Sequence, residues 1–329
     1  MHNTLTLHGA NPEKLYRAFG LEIPPKIIDF STNTNILSWP DININLQELA
    51  SHYPDPECSQ LRDIISEREH ISSSRILFTN GSNEAIFLLS RLFTDTAILQ
   101  PAYSEYSRAF RGLQSIYSLD EAQKFHCVII INPNNPTGQY ISLHDVIASL
   151  PGTTFIIDEA YRDFLLTRRP ERLCDYENVI ILRSLTKIYH LSGARIGYVI
   201  APENVIAALR ELQPSWSVNA VAQELALTFL KNTAFLESTR EFYFRHTPEF
   251  MGMLRAGGYD VMESDVHYFL VQVNDDAETI RRLLRAGIVV RHTRNFSGLN
   301  GKYIRIATRN PAENMLLAEN MRAYSIILH

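Results

Sequence analysis

Between about residues 75 and 200 the chain alternates short apolar runs with stretches of helical spacing. The runs fall at residues 75–79, 97–99, 128–131, 155–157, 179–182 and 196–200. Segments this short suit strands, and strands apolar on every side chain are buried on both faces. The pattern predicts an α/β fold with a mainly parallel sheet covered by helices. Right-handed crossovers bring successive strand ends to one edge, and ligands collect at the carboxyl ends. Residues with chemistry to perform are therefore sought just after each run.

After Trp216 the texture changes. A helical region is predicted over 218–254, interrupted near Pro248. Strands follow at 268–273, 288–291 and 303–306, with a helix over 276–285 and a closing helix from Ala312. This describes a small α/β domain over 218–329, after a large ligand-binding domain over 46–217. The first 45 residues have many turn formers and weak periodicity. They are expected to lie across the larger domain and to contribute to the small domain and the active site.

The formal net charge of −5 gives no electrostatic reason to expect nucleic acid or an anionic membrane as partner. No apolar run approaches the roughly 18 residues of a membrane span, and no basic segment leads into an apolar one as in a signal peptide. Cys58, Cys127 and Cys174 have no metal-ligand spacing. Three scattered cysteines argue against a disulfide framework and suit a reducing cytoplasm, so a cytoplasmic, metal-free protein is expected.

Four strand ends carry informative residues. Gly81-Ser82-Asn83-Glu84 opens a helix whose free N–H groups and dipole suit a phosphate, although an ordinary N-cap has the same look. The turn Asn132 to Gly138 is more rigid than a plain connection requires and can fix Asn135 as a donor. Asp158 ends a buried strand, where a carboxylate needs a partner. A protonated pyridine nitrogen is suitable and stays cationic beside it, with Tyr161 in reach of a ring hydroxyl. Lys187 follows the run Val179 to Leu182, with Ser184, Thr186 and Arg195 nearby. Alone it reads as a surface lysine. As an imine nucleophile it needs burial or nearby cations to lower its pKa from about 10.4. Four such sites in one order, all accommodating one cofactor, point to a Schiff-base lysine holding pyridoxal phosphate.

Together these runs resemble the aspartate-aminotransferase superfamily, the type I fold of pyridoxal-phosphate enzymes, over nearly the whole chain. The resemblance implies Lys187 as the lysine bound to the cofactor aldehyde, Asp158 on the pyridine nitrogen, and Asn135 and Tyr161 on the ring oxygen. It implies Tyr103 stacked on the ring and Ser82, Asn83, Ser184, Thr186 and Arg195 around the phosphate. It further implies a homodimer in which Tyr53 reaches the cofactor phosphate of the partner subunit.

Within the superfamily the chain is similar to the branch of histidinol-phosphate aminotransferase and threonine-phosphate decarboxylase, and several runs favour the decarboxylase. They are His8-Gly9-Ala10-Asn11, Asp29 to Asn33, Pro101 to Tyr106 and Pro214 to Asn219. Arg291 and Arg305 match the arginines that hold the substrate phosphate in that branch, with His8 and Asn33 beside them. Two guanidinium groups on adjacent strands can clamp a dianion. The implied activity is decarboxylation of threonine phosphate or serine phosphate, a step towards corrinoid (cobalamin) assembly, with histidinol-phosphate-type transamination as the alternative. Ala10 in place of a second glycine, and residues 33–40 without the usual Pro and Gly, depart from the pattern and leave the choice between the two phosphorylated amino acids open.

Overall fold

The computed structural model describes residues 9, 11–167 and 170–325. The chain enters through helix Pro12–Ala18, whose N-cap Asn11 accepts from the Lys14 amide, and the short strand β1 (Ile28–Asp29). The central sheet then forms from β2 (Ile76–Thr79), β3 (Thr96–Leu99), β4 (Gln114–Ile116), β5 (Cys127–Ile131), β6 (Thr154–Asp158), β7 (Val179–Ser184) and β8 (Gly197–Ile200). Their order is β2-β8-β7-β6-β5-β3-β4. Strand β8 runs antiparallel to both its neighbours, and every other pairing is parallel.

The reversed strand has a local cause. Only residues 185–196 separate β7 from β8, and the chain turns straight back to pair antiparallel. The turn lies at the carboxyl end of β7, and β8 begins there. Thr79 at the end of β2 pairs with Gly197. Three chain segments thereby meet at one sheet edge.

Apolar side chains fill both faces of this sheet. Phe155, Ile157 and Ile181 lie on one face and Ile129, Ile156 and Ile180 on the other, all buried. The predicted runs correspond to strands because alternate residues serve opposite cores. β4 was not foreseen: its sequence, Gln-Ser-Ile, buries only Ile116, so an edge strand left little apolar pattern to read.

A second core gathers Phe250, Leu254, Val271, Ile280, Leu284 and Ile304 with Leu15, Tyr16 and Phe30 from the N-terminal segment. Ile36, Ile42 and Ile44 pack instead against the first core. The N-terminal segment thus crosses from the smaller core to the larger, rather than lying across the larger alone. Strands β9 (Tyr268–Gln272), β10 (Ile288–Val289), β11 (Arg291–His292) and β12 (Tyr303–Ala307) belong here. The single strand expected over 288–291 is two. β10 pairs with β1, whereas β11 pairs with β12, which also pairs with β9.

The helical break expected at Pro248 lies elsewhere. Helix Thr233–Ala256 runs through Pro248, and the interruption falls at Asn232, whose side chain caps the Phe235 amide at 3.0 Å. Proline removes one donor from a helix interior, yet Tyr243, Thr247, Phe250 and Met251 on either side are buried, and packing holds the helix together. Among the described residues no helix is long and apolar enough to cross a membrane.

Candidate active site

A cavity of about 350 Å³ opens at the carboxyl edge of the central sheet, within the size range of small-molecule sites. Lys187 lies on its wall, in the one-turn helix Leu185–Ile188 that follows β7. The segment is anchored from outside: the Asn35 amide donates to the Lys187 carbonyl at 2.9 Å, and the Asn35 side chain donates to the Ile188 carbonyl at 2.9 Å. Burial, then Arg195 and Arg305, push the Lys187 amine down to about 8, with Asp158 opposing them. A lysine in such surroundings is available as a neutral nucleophile near neutral pH.

Asp158 ends β6 and is buried. Its Oδ2 accepts from the Tyr106 hydroxyl at 2.8 Å, and its Oδ1 from the Ala160 amide at 3.0 Å. Burial raises its pKa, against the lowering pull of those hydrogen bonds and of Lys187. A cationic ring nitrogen would relieve that desolvation. Tyr106 was not anticipated as part of the site. The only signal was its place three residues after Tyr103, one helical turn along a segment already singled out.

One end of the cavity is built by the meeting of β2, β7 and β8. Helix Gly81–Leu89 begins with no side-chain cap from Asn80. Gly81 has φ +73, and a Cβ there would stand 2.6 Å from Arg195 Nη2. A Cβ on Gly197 would stand 3.0 Å from the Ser82 amide nitrogen. Both glycines thus let backbone and guanidinium approach closely, as a bound oxyanion requires. Ser82, Asn83, Thr186 and Arg195 line the cavity, and so does Ser192, whose carbonyl accepts from Arg195 Nη1 at 3.1 Å. Ser184 is one layer back: its hydroxyl lies 2.7 Å from that of Thr186. Pyridoxal phosphate fits this donor set, with an uncapped helix end and a guanidinium at one extremity and a buried carboxylate and lysine at the other.

Arg291 and Arg305 also line the cavity, face one another in register across β11 and β12, and are both buried. Arg305 donates to Asn135 Oδ1 at 2.6 Å and to the Ser31 carbonyl at 2.7 Å, while its buried Nε has no partner. Burial lowers the pKa of both arginines, that of Arg291 to about 9 with Arg305 as the second cause. Asn135 accepts through its oxygen, so its amide nitrogen remains as the donor.

Tyr103 and Tyr161 also line the cavity. The Asn33 amide nitrogen lies 3.5 Å from the Tyr161 hydroxyl, and its buried Oδ1 has no partner. Asp29 shapes this loop by accepting from the Ser31 amide and hydroxyl and from the Thr32 hydroxyl at 2.6–2.7 Å, turning residues 31–34 into the cavity wall. Ile86 and Phe296 add apolar surface, which nothing in their sequence setting announced.

Two predicted residues stand apart. His8 lies outside the described residues. Tyr53 is 81% exposed and is not on the cavity wall of its own chain; its ring packs 4.8 Å from that of Trp216.

The family model for aminotransferases of class I and II matches residues 40–320. The threonine-phosphate decarboxylase of Salmonella typhimurium is 29% identical over 349 residues, covering 96% of this chain and 95% of that protein. The histidinol-phosphate aminotransferase of Caldicellulosiruptor saccharolyticus is also 29% identical, over 335 residues and 91% of each chain. The crystal structure of L-threonine-O-3-phosphate decarboxylase from Porphyromonas gingivalis superposes with a TM-score of 0.81 at 27% identity, over 91% of this chain and 99% of that one. The histidinol-phosphate aminotransferase of Sinorhizobium meliloti, solved with pyridoxal-5'-phosphate, shares the fold with a TM-score of 0.80 at 21% identity, over 98% and 99% of the two chains. The match takes in most of the chain, including every strand of the central sheet, and the protein belongs to the class I and II aminotransferase family, whose cofactor is pyridoxal phosphate.

Proposed function

We propose that this protein decarboxylates an O-phosphorylated hydroxy-amino acid, serine phosphate or threonine phosphate, to the amino-alcohol phosphate, a building block for corrinoid assembly. The observation that carries the reading is the in-register pair Arg291 and Arg305 on the wall of the cavity that holds Lys187. Two buried guanidinium groups side by side repel one another, and a dianion between them offsets that cost.

In this reading Lys187 Nζ meets the cofactor aldehyde, Asp158 the ring nitrogen, and Asn135 and Tyr161 the ring oxygen. Tyr103 stacks on the ring. Ser82, Asn83, Thr186 and Arg195 take the phosphate, Ser184 acts through Thr186, and Tyr53 reaches it from a second copy of the chain. When bound, pyridoxal phosphate supplies a cationic ring that takes up the electron pair released at the substrate α-carbon. The protein decides which bond releases it. Arg291 and Arg305 clamp the substrate phosphate, and fixing that end fixes rotation about the α-carbon. With that end fixed, the arginine pair would present the carboxylate, rather than the α-carbon hydrogen, as the group to be lost. Lys187 Nζ delivers the proton that replaces carbon dioxide, while Phe296 and Ile86 keep water from the reacting face.

The test is direct. Purified holoenzyme is incubated with O-phosphoserine or O-phosphothreonine, and carbon dioxide release is followed. Release from either at enzymatic turnover is expected. No release, with 2-oxoglutarate formed from glutamate in the presence of a phosphorylated amino acceptor, would replace the reading by that of a histidinol-phosphate-type aminotransferase.

A further inference from the structure

Arg291, which the proposed function assigns to the substrate phosphate, is itself held by its own loop. Nη2 donates to Asn295 Oδ1 at 2.9 Å, and Nη1 lies 2.8 Å from His292 Nε2, a contact in which the ring must accept because guanidinium only donates. An asparagine amide does not ionise, so Asn295 steers the guanidinium without neutralising it.

The loop that carries Asn295 is fixed on both sides. Arg294 Nε reaches both carboxylate oxygens of the buried Asp276, at 2.8 and 2.9 Å. Phe296 is buried, with its ring centroid 5.9 Å from the Arg291 guanidinium carbon. Ser297 shares a 2.7 Å hydrogen bond with the Tyr117 hydroxyl, just beyond β4 in the larger part of the molecule. Asn295 is therefore presented from a loop anchored immediately before and after it.

We propose that Asn295 is a positioning residue that sets the choice of anion: it aims Arg291 at the cavity with its charge intact, matching the arginine pair to a dianionic phosphoryl group. The inference rests on the reading of Arg291 as a phosphate contact. A carboxylate of the same size in the same place would accept the same hydrogen bond and also cancel the charge. Asn295→Asp thus separates positioning from electrostatics, because it keeps the geometry and gains an ion pair.

The experiment uses holoenzyme of the wild type, Asn295→Asp and Asn295→Ala. It measures the KM for O-phosphoserine and O-phosphothreonine, the dissociation constant of inorganic phosphate by calorimetry, and Tm. For Asn295→Asp, KM and the phosphate dissociation constant should rise about tenfold or more, more than kcat falls, with Tm at or above that of the wild type. Asn295→Ala should raise both about threefold. A merely structural residue would behave otherwise, with binding lost in proportion to Tm and Ala at least as harmful as Asp; that result, or phosphate bound as tightly by Asn295→Asp as by the wild type, overturns the inference. Absence of phosphate binding by the wild type overturns it as well. If no carbon dioxide is released from either phosphorylated amino acid but Asn295→Asp still weakens phosphate binding, the assigned reaction fails and the role of Asn295 stands.

Discussion

Lys187 shows how far one residue's chemistry depends on its surroundings. Alone in the sequence it reads as a solvated cation. In the fold, burial, Arg195 and Arg305 hold its amine at about 8, against about 10.4 in an unfolded chain. The sign of the consequence follows. Between these two values the unfolded state carries the additional proton, so stability rises with pH across that window, and below it the full cost of burying the charged amine is present. Lys187→Met should therefore make the cofactor-free protein more stable at pH 7 and flatten its rise in stability from about pH 8 to pH 10, while abolishing turnover. Urea denaturation of both proteins at pH 7, 8, 9 and 10 checks this; parallel pH profiles would show that the amine is not desolvated. The partners of Lys187 were legible in different degrees. Asp158 and Asn135 each followed an apolar run and Arg195 stands immediately ahead of one, so position announced them. Tyr106 and Asn295 act through another side chain, and such a role leaves no mark on the sequence beyond proximity to a residue already suspected.

At the scale of elements, the sheet edge was readable and the turns that join it were only partly so. Strands β2, β3, β5, β6 and β7 were evident because burial on both faces leaves their central positions apolar. The split of 288–291 into β10 and β11 was not, since Ile-Val-Val-Arg reads as one run and only the pairing partners, β1 and β12, divide it. Pro248 misled because packing outweighs a missing donor. Gly81 is the case where a turn residue mattered most. Its φ of +73 and the 2.6 Å between a Cβ and Arg195 Nη2 make alanine wrong on two counts, strain in the left-handed region and displacement of the guanidinium. Gly81→Ala should cost about 1–2 kcal/mol of stability and weaken pyridoxal phosphate binding about tenfold or more. A cofactor titration followed by absorbance, beside a denaturation curve, measures both; unchanged affinity would remove Arg195 and the helix end from the phosphate site.

At the scale of the whole molecule, one exposed feature suits a second copy of the chain. Tyr53 is 81% exposed and Trp216 is 48% exposed, yet their rings pack at 4.8 Å, and Trp216 holds a left-handed backbone with φ 55. The loop behind them is tied to the start of helix Gly81–Leu89: the Ser217 hydroxyl donates to Glu84 at 2.5 Å, whose carboxylate accepts from the Asn80 amide at 2.7 Å. Exposed aromatic residues of this kind are characteristic of interface cores, and a two-fold dimer would let each copy present Tyr53 to the other's cavity. The sequence suggested this partner through resemblance alone, because an interface made by symmetry has no periodicity of its own. The arrangement predicts complementation between two inactive variants. In a mixed dimer of Lys187→Ala and Tyr53→Ala subunits, one site carries both defects and the other neither. Random reassociation of equal amounts makes half the dimers mixed, with one of two sites intact, so about a quarter of wild-type activity should return. Mixing Lys187→Ala with Arg305→Ala restores nothing, because those two residues line one chain's cavity and every mixed site lacks one of them. Reassociation from dilute denaturant followed by an activity assay distinguishes the cases. If the first mixture stays as inactive as its parents while exchange is confirmed by a mass-tagged subunit, Tyr53 does not act across an interface.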